Sequence, residues 1–331
     1  MKNIIPKVSI IVPIHNAGEH LTMCLDTLIH QTLTDIEIIL VLDYPIDGSD
    51  LIAKQYAEKD KRIVILENYL NLHIGNSRNR GIAIAKGEYI GFSDHDDYRE
   101  LSMYDELYAR ANINNSDIVL SFQFDSNTQS NPFFECNEIF DTKTKELILS
   151  DLIGFGNQEN VGALFVNVTN NIYRNDFLKA NAIQFVDTKQ ITPEDVIFQI
   201  ECIYKAKKIC LLKNVFYYHN SHNSNESSNY SYISYQKRSA GLAHIYSFLK
   251  KENIFESYKD SFYTGVTKQF IFSLVGTLYP EKNICMFIKA VKHLRSYPFC
   301  KIAFSKYALQ PTKKRVINKL FRSFLIRLLK F

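Results

Sequence analysis

The sequence has few cysteines, no long apolar run and no acidic residues toward its carboxyl end. Six cysteines are spread over 331 residues without a CxxC pair or a cysteine-histidine cluster at metal-binding spacing, which favours reduced thiols over disulfides or a zinc site. No apolar segment approaches the roughly 20 residues that a transmembrane helix needs. Residues 1–6 lack the pattern of a signal peptide and lead directly into the first predicted strand. These absences predict a cytoplasmic protein with one large core, or a core plus a smaller domain.

Charge is distributed unevenly along the chain. After Glu281 there is no Asp or Glu, whereas 13 of the 39 Lys and Arg residues lie there. Helical geometry over residues 312–331 would place apolar side chains on one arc and basic side chains opposite. Such a tail can lie on the anionic inner face of the cell membrane, and the alternative is a helix packed on protein with a solvated basic face. Nucleic acid is not an expected partner, because no recognition-helix or aromatic-groove motif accompanies the charge.

Residues 8–92 alternate between strand and helix patterns. The strand patterns are continuous apolar runs, which are typical of a parallel sheet covered by helices on both faces. Asn16 and Glu19 predict a capping pair for the first helix, whose apolar positions recur with helical spacing as far as Ile29. The predicted strands are 8–13, 36–42, 63–66 and 89–92, and two further helices are predicted at 49–59 and 77–85.

An acidic turn, Asp94-His95-Asp96-Asp97, directly follows the last of these strands. Three carboxylates repel one another, so a fold that fixes them together usually does so to hold a divalent cation or to bind sugar hydroxyls. The alternative is a solvated turn rich in Asp. Pro13, Asp43 and Asp94 all lie at predicted strand ends, and ligands of parallel sheets bind beyond those ends. We therefore expect these three residues to converge on one crevice.

Four ordered segments carry a resemblance to a known family. Residues 8–16, 43–49, 76–82 and 87–97 together resemble the family 2 glycosyltransferases of bacterial surface-polysaccharide pathways, and weaker similarity resumes at 171–178 and 193–198. The resemblance implies the GT-A fold, an α/β fold whose mostly parallel, nucleotide-sugar-binding sheet has helices on both faces. It implies a catalytic domain over residues 1–220, in which 1–110 bind the nucleotide and 111–220 the acceptor. A mainly helical C-terminal region would follow over residues 221–331.

The resemblance also assigns residues to the donor. Pro13 and Asn16 match the first-strand loop that lines the nucleotide base. Asp43 matches the Asp that hydrogen-bonds the base, which is uracil in the best-known members, although Pro45 stiffens this loop relative to the family pattern. Arg78 matches an Arg near the donor.

Catalytic and metal-binding roles carry over in the same way. Asp94 and Asp96 match the two ends of the DxD motif, the first near the ribose and sugar and the second on a Mn²⁺ or Mg²⁺ ion. Asp195 matches the general base, and the alternative is an ordinary acidic residue in the first turn of a helix. His95 fills the middle of the DxD motif and either contacts the ligand or has no role. His222 stands near a family Arg and would either replace that cation at the diphosphate or reach the metal.

His15 stands where the family commonly has a Tyr, with the same two alternatives as His95. The resemblance as a whole implies an inverting enzyme that transfers one sugar from a UDP-linked donor to a lipid-linked glycan at the cytoplasmic membrane face, in lipopolysaccharide, capsule or exopolysaccharide synthesis. Alternatives are another donor nucleotide, a teichoic-type polyol acceptor, or a catalytically silent subunit that binds nucleotide-sugar or glycan in an assembly complex.

Overall fold

A computed structural model describes residues 5–125, 139–156, 166–220, 232–281, 289–290, 292–293 and 296–303. The chain divides into two compact units. The first comprises residues 1–146, 164–189 and 194–224, and the second comprises residues 147–163, 190–193 and 225–331. The predicted metal residue His222 and the predicted basic tail 312–331 lie outside the described residues.

The first unit is built on an eight-stranded sheet in the order β3-β2-β1-β4-β7-β6-β8-β5. β1, β2, β3 and β4 pair with one another in parallel, and β6 pairs with β8 in parallel. β7 is antiparallel to both β4 and β6, and β5 is antiparallel to β8. The mostly parallel sheet that the sequence predicted is therefore confirmed, with antiparallel strands in its second half. The strands are β1 (Val8–Ile14), β2 (Ile36–Leu42), β3 (Ile63–Glu67), β4 (Tyr89–Phe92), β5 (Tyr98–Arg99), β6 (Ile118–Asp125), β7 (Ile172–Arg174) and β8 (Ile209–His219).

Helices cover both faces of this sheet. Val8, Ile10 and Val12 of β1 share a buried core with the first helix, whereas Ile11 points the other way and lies against Gly81 of the third helix. A strand with apolar residues on both faces reads as a continuous apolar run, which explains the sequence of β1. The helices of this unit in chain order are α1 (His20–Ile29), α2 (Ser49–Lys59), α3 (His73–Ile84), α4 (Met103–Asn114), α6 (Asn175–Ala180) and α7 (Glu194–Lys205). Helix α5 (Thr142–Ile153) begins in this unit, and its residues 147–153 belong to the second.

The predicted capping pair of α1 is wrong. The helix begins at His20 with Glu19 at the N-cap and no side-chain capping hydrogen bond. Asn16 instead has a left-handed backbone conformation, φ 51°, and its Oδ1 accepts the backbone N–H of Ile46. Asn tolerates this conformation better than most residues, and the side chain is used to join two loops rather than to cap the helix.

The second unit is mainly helical in its described part. It contains α8 (Tyr232–Lys251), α9 (Phe255–Glu281) and the short α10 (Pro298–Ile302). Tyr246, Phe255, Phe262 and Phe299 pack their rings together with centroid separations of 5.1 to 5.9 Å, a range in which aromatic pairs attract. No helix among the described residues has the length and hydropathy required to cross a membrane.

Four of the six cysteines lie within the described residues, and all four are free and buried. Buried thiols of this kind behave as small apolar side chains. The prediction of reduced cysteines is therefore confirmed for Cys24, Cys202, Cys210 and Cys300, while Cys136 and Cys285 lie outside the described part of the chain.

Candidate active site

The site lies where the strand order reverses. From β1 the chain proceeds outward through β2 and β3, and then returns to place β4 on the other side of β1. Such a reversal leaves a crevice beyond the carboxyl ends of the two central strands. His95, in the acidic turn after β4, donates its Nδ1–H to the carbonyl oxygen of Pro13 in β1, 3.1 Å away. Pro13 and the acidic turn are thus brought together as the sequence predicted, and His95 has a role in joining them.

Asp43 follows β2 and is almost fully buried. Its Oδ1 accepts the backbone N–H of Leu72 at 2.7 Å and the amide of Asn68 at 2.8 Å. Asn68 also donates to the hydroxyl of Ser77. The carboxylate therefore holds the loop after β3 against the loop after β2. Its second oxygen, Oδ2, accepts no hydrogen bond from the described residues and is the atom that remains for a ligand.

His15 belongs to the same loop network. Its Nδ1 lies 2.7 Å from the carbonyl oxygen of Asp43, so this nitrogen carries the proton. The other ring nitrogen, Nε2, then accepts from the side-chain amides of Asn71 and Asn16, at 3.2 and 3.3 Å. Both ring nitrogens are used inside the protein, and the imidazole fixes the first loop beside Asp43 and Asn16.

The last residue of the acidic turn is an anchor. Asp97 is buried, and its two carboxylate oxygens accept from the hydroxyl of Tyr217, the ring of His219 and the backbone N–H of Asn220. The hydrogen bond to Asp97 raises the pKa of His219 to about 9, so the imidazole is protonated at neutral pH and balances the charge of Asp97. Asp97 is thereby committed to the end of β8.

Arg78 joins the two carboxylates that the sequence assigned to separate roles. It projects from α3 and is only 1% exposed. One guanidinium nitrogen, Nη1, lies 2.5 Å from Oδ1 of Asp195, and the other, Nη2, lies 3.0 Å from Oδ1 of Asp94. The guanidinium also lies over the ring of Phe185, 5.0 Å from its centroid. Residues 78, 94 and 195, far apart in sequence, therefore form one cluster.

Asp195 lies in the first turn of α7, beside Glu194, and is 24% exposed. Burial raises the pKa of Asp195 to about 7; the Arg78 guanidinium opposes the rise, and the Glu194 and Asp94 carboxylates add to it. A carboxylate with a pKa near neutrality can accept a proton at physiological pH more readily than an ordinary Asp. This combination of partial exposure and raised pKa suits a general base.

Asp96 differs from the other two carboxylates of the turn. Arg78 pairs with Asp94, and His219 with Asp97, whereas no other side chain within the described ranges hydrogen-bonds Asp96. Burial raises the pKa of Asp96, and the neighbouring Asp97 and Asp94 carboxylates contribute while His95 opposes the rise. A partly exposed carboxylate without a partner is the one available for a cation.

The described residues contain no group of three or more His, Cys, Asp and Glu side chains placed to hold a metal by themselves. A Mg²⁺ or Mn²⁺ ion shared with a diphosphate needs only one or two carboxylates from the protein, because phosphate oxygens and water supply the other ligands. Asp96, a hard oxygen ligand without a competing partner, fits such a shared site.

Several residues of the site escape sequence reasoning. Tyr217 and His219 lie on β8, more than a hundred positions after the acidic turn that they hold. Arg99, a buried cation beneath the turn, donates to the hydroxyl of Ser93 at 2.6 Å. Charge balance is the physical signal that could have led to them, since three clustered carboxylates require nearby cations or hydrogen-bond donors.

Comparison with known proteins places this arrangement in a family. The family model described as "Glycosyl transferase family 2" matches residues 9–176. A cholesterol galactosyltransferase of Borreliella burgdorferi is 33% identical over 257 residues, which cover 75% of this chain and 69% of that protein. A poly(ribitol-phosphate) beta-glucosyltransferase of Bacillus spizizenii is 30% identical over 259 residues, 76% of this chain and 38% of that protein. The chain thus spans little more than a third of the second relative's length.

A solved structure shares the fold. The crystal structure of S. aureus TarS 1–349 in complex with UDP-GlcNAc aligns with a TM-score of 0.70 over 98% of this chain and 89% of that one, at 21% sequence identity. At that identity the likeness establishes the fold, which is GT-A as the sequence predicted. Because the family model matches half of the chain and covers the acidic turn and the residues around Arg78, the chain belongs to glycosyl transferase family 2.

Proposed function

We propose that this protein transfers a single sugar, with inversion at the anomeric carbon, from a UDP-sugar to a glycan acceptor in bacterial cell-surface polysaccharide synthesis. The observation that carries the proposal is the contact of one buried guanidinium, that of Arg78, with both Asp94 and Asp195. The contact holds a candidate donor residue and a candidate base within one side chain of each other, as a displacement reaction between donor and acceptor requires.

Asp195 acts as the general base in this proposal. An acceptor hydroxyl is a poor nucleophile until a carboxylate accepts its proton during attack. The raised pKa of Asp195 suits that task, and Arg78 remains a cation throughout, because Asp195 and Asp94 hold its pKa above the usual range despite burial. Arg78 thereby orients the base and stabilises its charged form between turnovers.

Asp94 contacts the donor sugar and ribose, and Asp96 holds the metal. A bound Mn²⁺ or Mg²⁺ ion supplies Lewis-acid neutralisation of the diphosphate leaving group. The free carboxylate of Asp96 is the residue of this chain that would hold the ion, and His222 is a second candidate from its sequence position. His95 keeps the turn against Pro13 through its hydrogen bond to the Pro13 carbonyl oxygen.

The nucleotide base lies at the loops after β1 and β2. Oδ2 of Asp43 accepts from the base, Pro13 and Asn16 line the same subsite, and residues 1–110 form the nucleotide-binding part. A UDP-linked donor is supported by the fold shared with a UDP-GlcNAc complex, and the sugar transferred in this proposal is a hexose or an N-acetylhexosamine. Residues 111–220, which include Asp195, contribute the acceptor-binding part.

The acceptor in this proposal is a lipid-linked glycan at the inner face of the cell membrane. The basic amphipathic pattern of residues 312–331 supports a peripheral attachment to anionic lipid. A polyol-phosphate acceptor is the second candidate, and the similarity to a poly(ribitol-phosphate) glucosyltransferase over 76% of the chain favours it.

The silent-subunit alternative is disfavoured by Asp195. A subunit that only binds nucleotide-sugar needs no carboxylate whose pKa is raised to about 7 beside the donor residues. The raised pKa costs folding free energy whenever the group is ionised, and such a cost is typical of functional positions.

The test measures release of nucleoside diphosphate from UDP-, GDP- and dTDP-linked sugars in the presence of Mn²⁺ or Mg²⁺. We expect release from UDP-sugars by the unaltered protein and a loss of about a hundredfold or more in Asp195→Asn, the usual scale for a general base, with donor affinity nearly unchanged. Asp187→Asn is the matched control, because Asp187 is a carboxylate of the same unit that accepts from Asn76 of α3, the helix that also carries Arg78. Equal losses in both variants, or a loss in Asp187→Asn alone, would contradict the assignment of the base.

A further inference from the structure

The hydroxyl of Tyr217 connects the two ends of the acidic turn. It lies 3.1 Å from the backbone nitrogen of Asp94 and 2.8 Å from Oδ2 of Asp97. The backbone N–H of Asp94 can only donate, so the hydroxyl accepts there and must direct its own proton to Asp97. Tyr217 is almost fully buried, and both hydrogen bonds are therefore shielded from competing water.

Asp97 is tied to β8 by its other oxygen as well. Oδ1 accepts the backbone N–H of Asn220 at 2.9 Å and the Nδ1–H of His219 at 3.1 Å. This buried carboxylate is therefore bound by three donors of the protein itself. Its effect is to fix the carboxyl end of the turn to the end of β8.

A buried arginine supports the turn from β5. Nη2 of Arg99 donates to the hydroxyl of Ser93 at 2.6 Å and to the backbone carbonyl of Asp97 at 3.2 Å. Arg99 is paired in register with Tyr217 across the two strands, and its guanidinium lies 5.6 Å from the centroid of the Tyr217 ring. The residues on either side of Asp96 are thus held by hydrogen bonds, whereas the Asp96 side chain itself receives none from another described side chain.

We propose that Tyr217 is a positioning residue that fixes the backbone of the acidic turn so that Asp96 meets the metal-bound diphosphate. The proposal rests on the function proposed above. A metal ligand must be held within a few tenths of an ångström of its coordination distance, and Asp96 has only its backbone to hold it. Partners that orient a ligand typically account for about 10- to 100-fold in metal affinity.

The test compares Tyr217→Phe with Tyr104→Phe. Both tyrosines are buried in the first unit, and both substitutions remove one hydroxyl and keep the ring. The hydroxyl of Tyr104 has no hydrogen-bond partner among the described residues, so Tyr104→Phe is a matched control for the loss of a buried oxygen. Mn²⁺ binding is followed directly, from the electron paramagnetic resonance signal of free Mn²⁺ in the presence of saturating UDP.

We expect Tyr217→Phe to weaken Mn²⁺ binding by about tenfold or more, with UDP release approaching the unaltered rate at high Mn²⁺, and Tyr104→Phe to leave Mn²⁺ binding unchanged. Unchanged Mn²⁺ binding in folded Tyr217→Phe overturns the proposal, as does an equal change in Tyr104→Phe. If Tyr217→Phe does not fold, Asp97→Asn takes its place, because the single amide oxygen cannot accept from Tyr217 and His219 as the two carboxylate oxygens do. Asp97→Asn must then weaken Mn²⁺ binding by the same factor. If the unaltered protein binds no Mn²⁺ with UDP, the proposed function itself fails.

Discussion

Replacing Arg78 with Met gives the sharpest test of the cluster that the structure reveals. Met is unbranched and fills the space of the arginine stem, but it supplies no charge and no donor. The substitution removes the contacts at 2.5 Å to Asp195 and 3.0 Å to Asp94. It also leaves Glu194, 3.9 Å from the guanidinium, beside two unpaired carboxylates.

The expected loss of stability in Arg78→Met follows from the burial of Arg78 and its pairing with carboxylates. Removing one partner of a buried ion pair costs about 3 to 5 kcal/mol, and hydrogen bonds to charged groups contribute about 1.5 to 3 kcal/mol each. The three carboxylates are 18% to 33% exposed, so water compensates in part when the arginine is removed. We therefore expect Arg78→Met to lower the free energy of unfolding by about 3 kcal/mol at pH 7.5. Arg78→Lys keeps the positive charge but not the planar guanidinium that donates to two carboxylates at once. It should lower the free energy of unfolding by about half as much as Arg78→Met.

Urea unfolding followed by circular dichroism measures this loss, and a double-mutant cycle with Asp195→Asn isolates the pair. The coupling energy between Arg78 and Asp195 should be about 1 to 3 kcal/mol. The loss of unfolding free energy in Arg78→Met should shrink as the pH falls from 8 to 5, because Asp195, whose pKa is raised to about 7, no longer needs the cation once it is protonated. A loss below about 1 kcal/mol, or additive effects in the cycle, would refute the ion-pair account.

Three further predictions concern activity and localisation. Asp96→Ala, or an excess of chelator, should abolish sugar transfer and weaken UDP binding, and full activity in excess EDTA would remove the metal from the mechanism. On the acid side, kcat/KM should fall with an apparent pKa near the value of about 7 for Asp195, because the base must be deprotonated. A fall of kcat/KM centred near pH 4 instead would identify another base. Truncation after Gln310 should abolish sedimentation with anionic liposomes and leave donor hydrolysis intact, since the proposed catalytic residues precede it; unchanged sedimentation would contradict the membrane proposal.

The first half of the sheet was predictable because its signals are local. The strands Ile36–Leu42 and Tyr89–Phe92 and the helix Ser49–Lys59 have the predicted bounds, since an apolar run or a helical apolar period is complete within each segment. Helix α3 begins at His73 instead of residue 77. The side chain of Asn71 accepts the backbone N–H of His73, and this local turn has no apolar period to reveal it.

The site was predictable only in part, because its contacts depend on the tertiary fold. The family resemblance assigned roles to Asp94, Arg78 and Asp195 one at a time, but the single guanidinium that joins the two carboxylates depends on how α3 and α7 pack. The same holds for Tyr217, which reaches the acidic turn only because β5 and β8 pair at the edge of the sheet. Asn16 was misassigned as a helix cap, since an Asn that joins two loops and an Asn that caps a helix look alike in sequence.

The most direct test of the central claim is the position of the metal and the nucleotide on the protein. Crystals grown with UDP and Mn²⁺ would give an anomalous signal that locates the ion. We expect one Mn²⁺ ion coordinated by Asp96 and the diphosphate, with the base of UDP beside Asp43. Asp195 should face the open side of the crevice. A Mn²⁺ ion that does not contact Asp96, or UDP bound away from the ends of β1, β2 and β4, would contradict the claim.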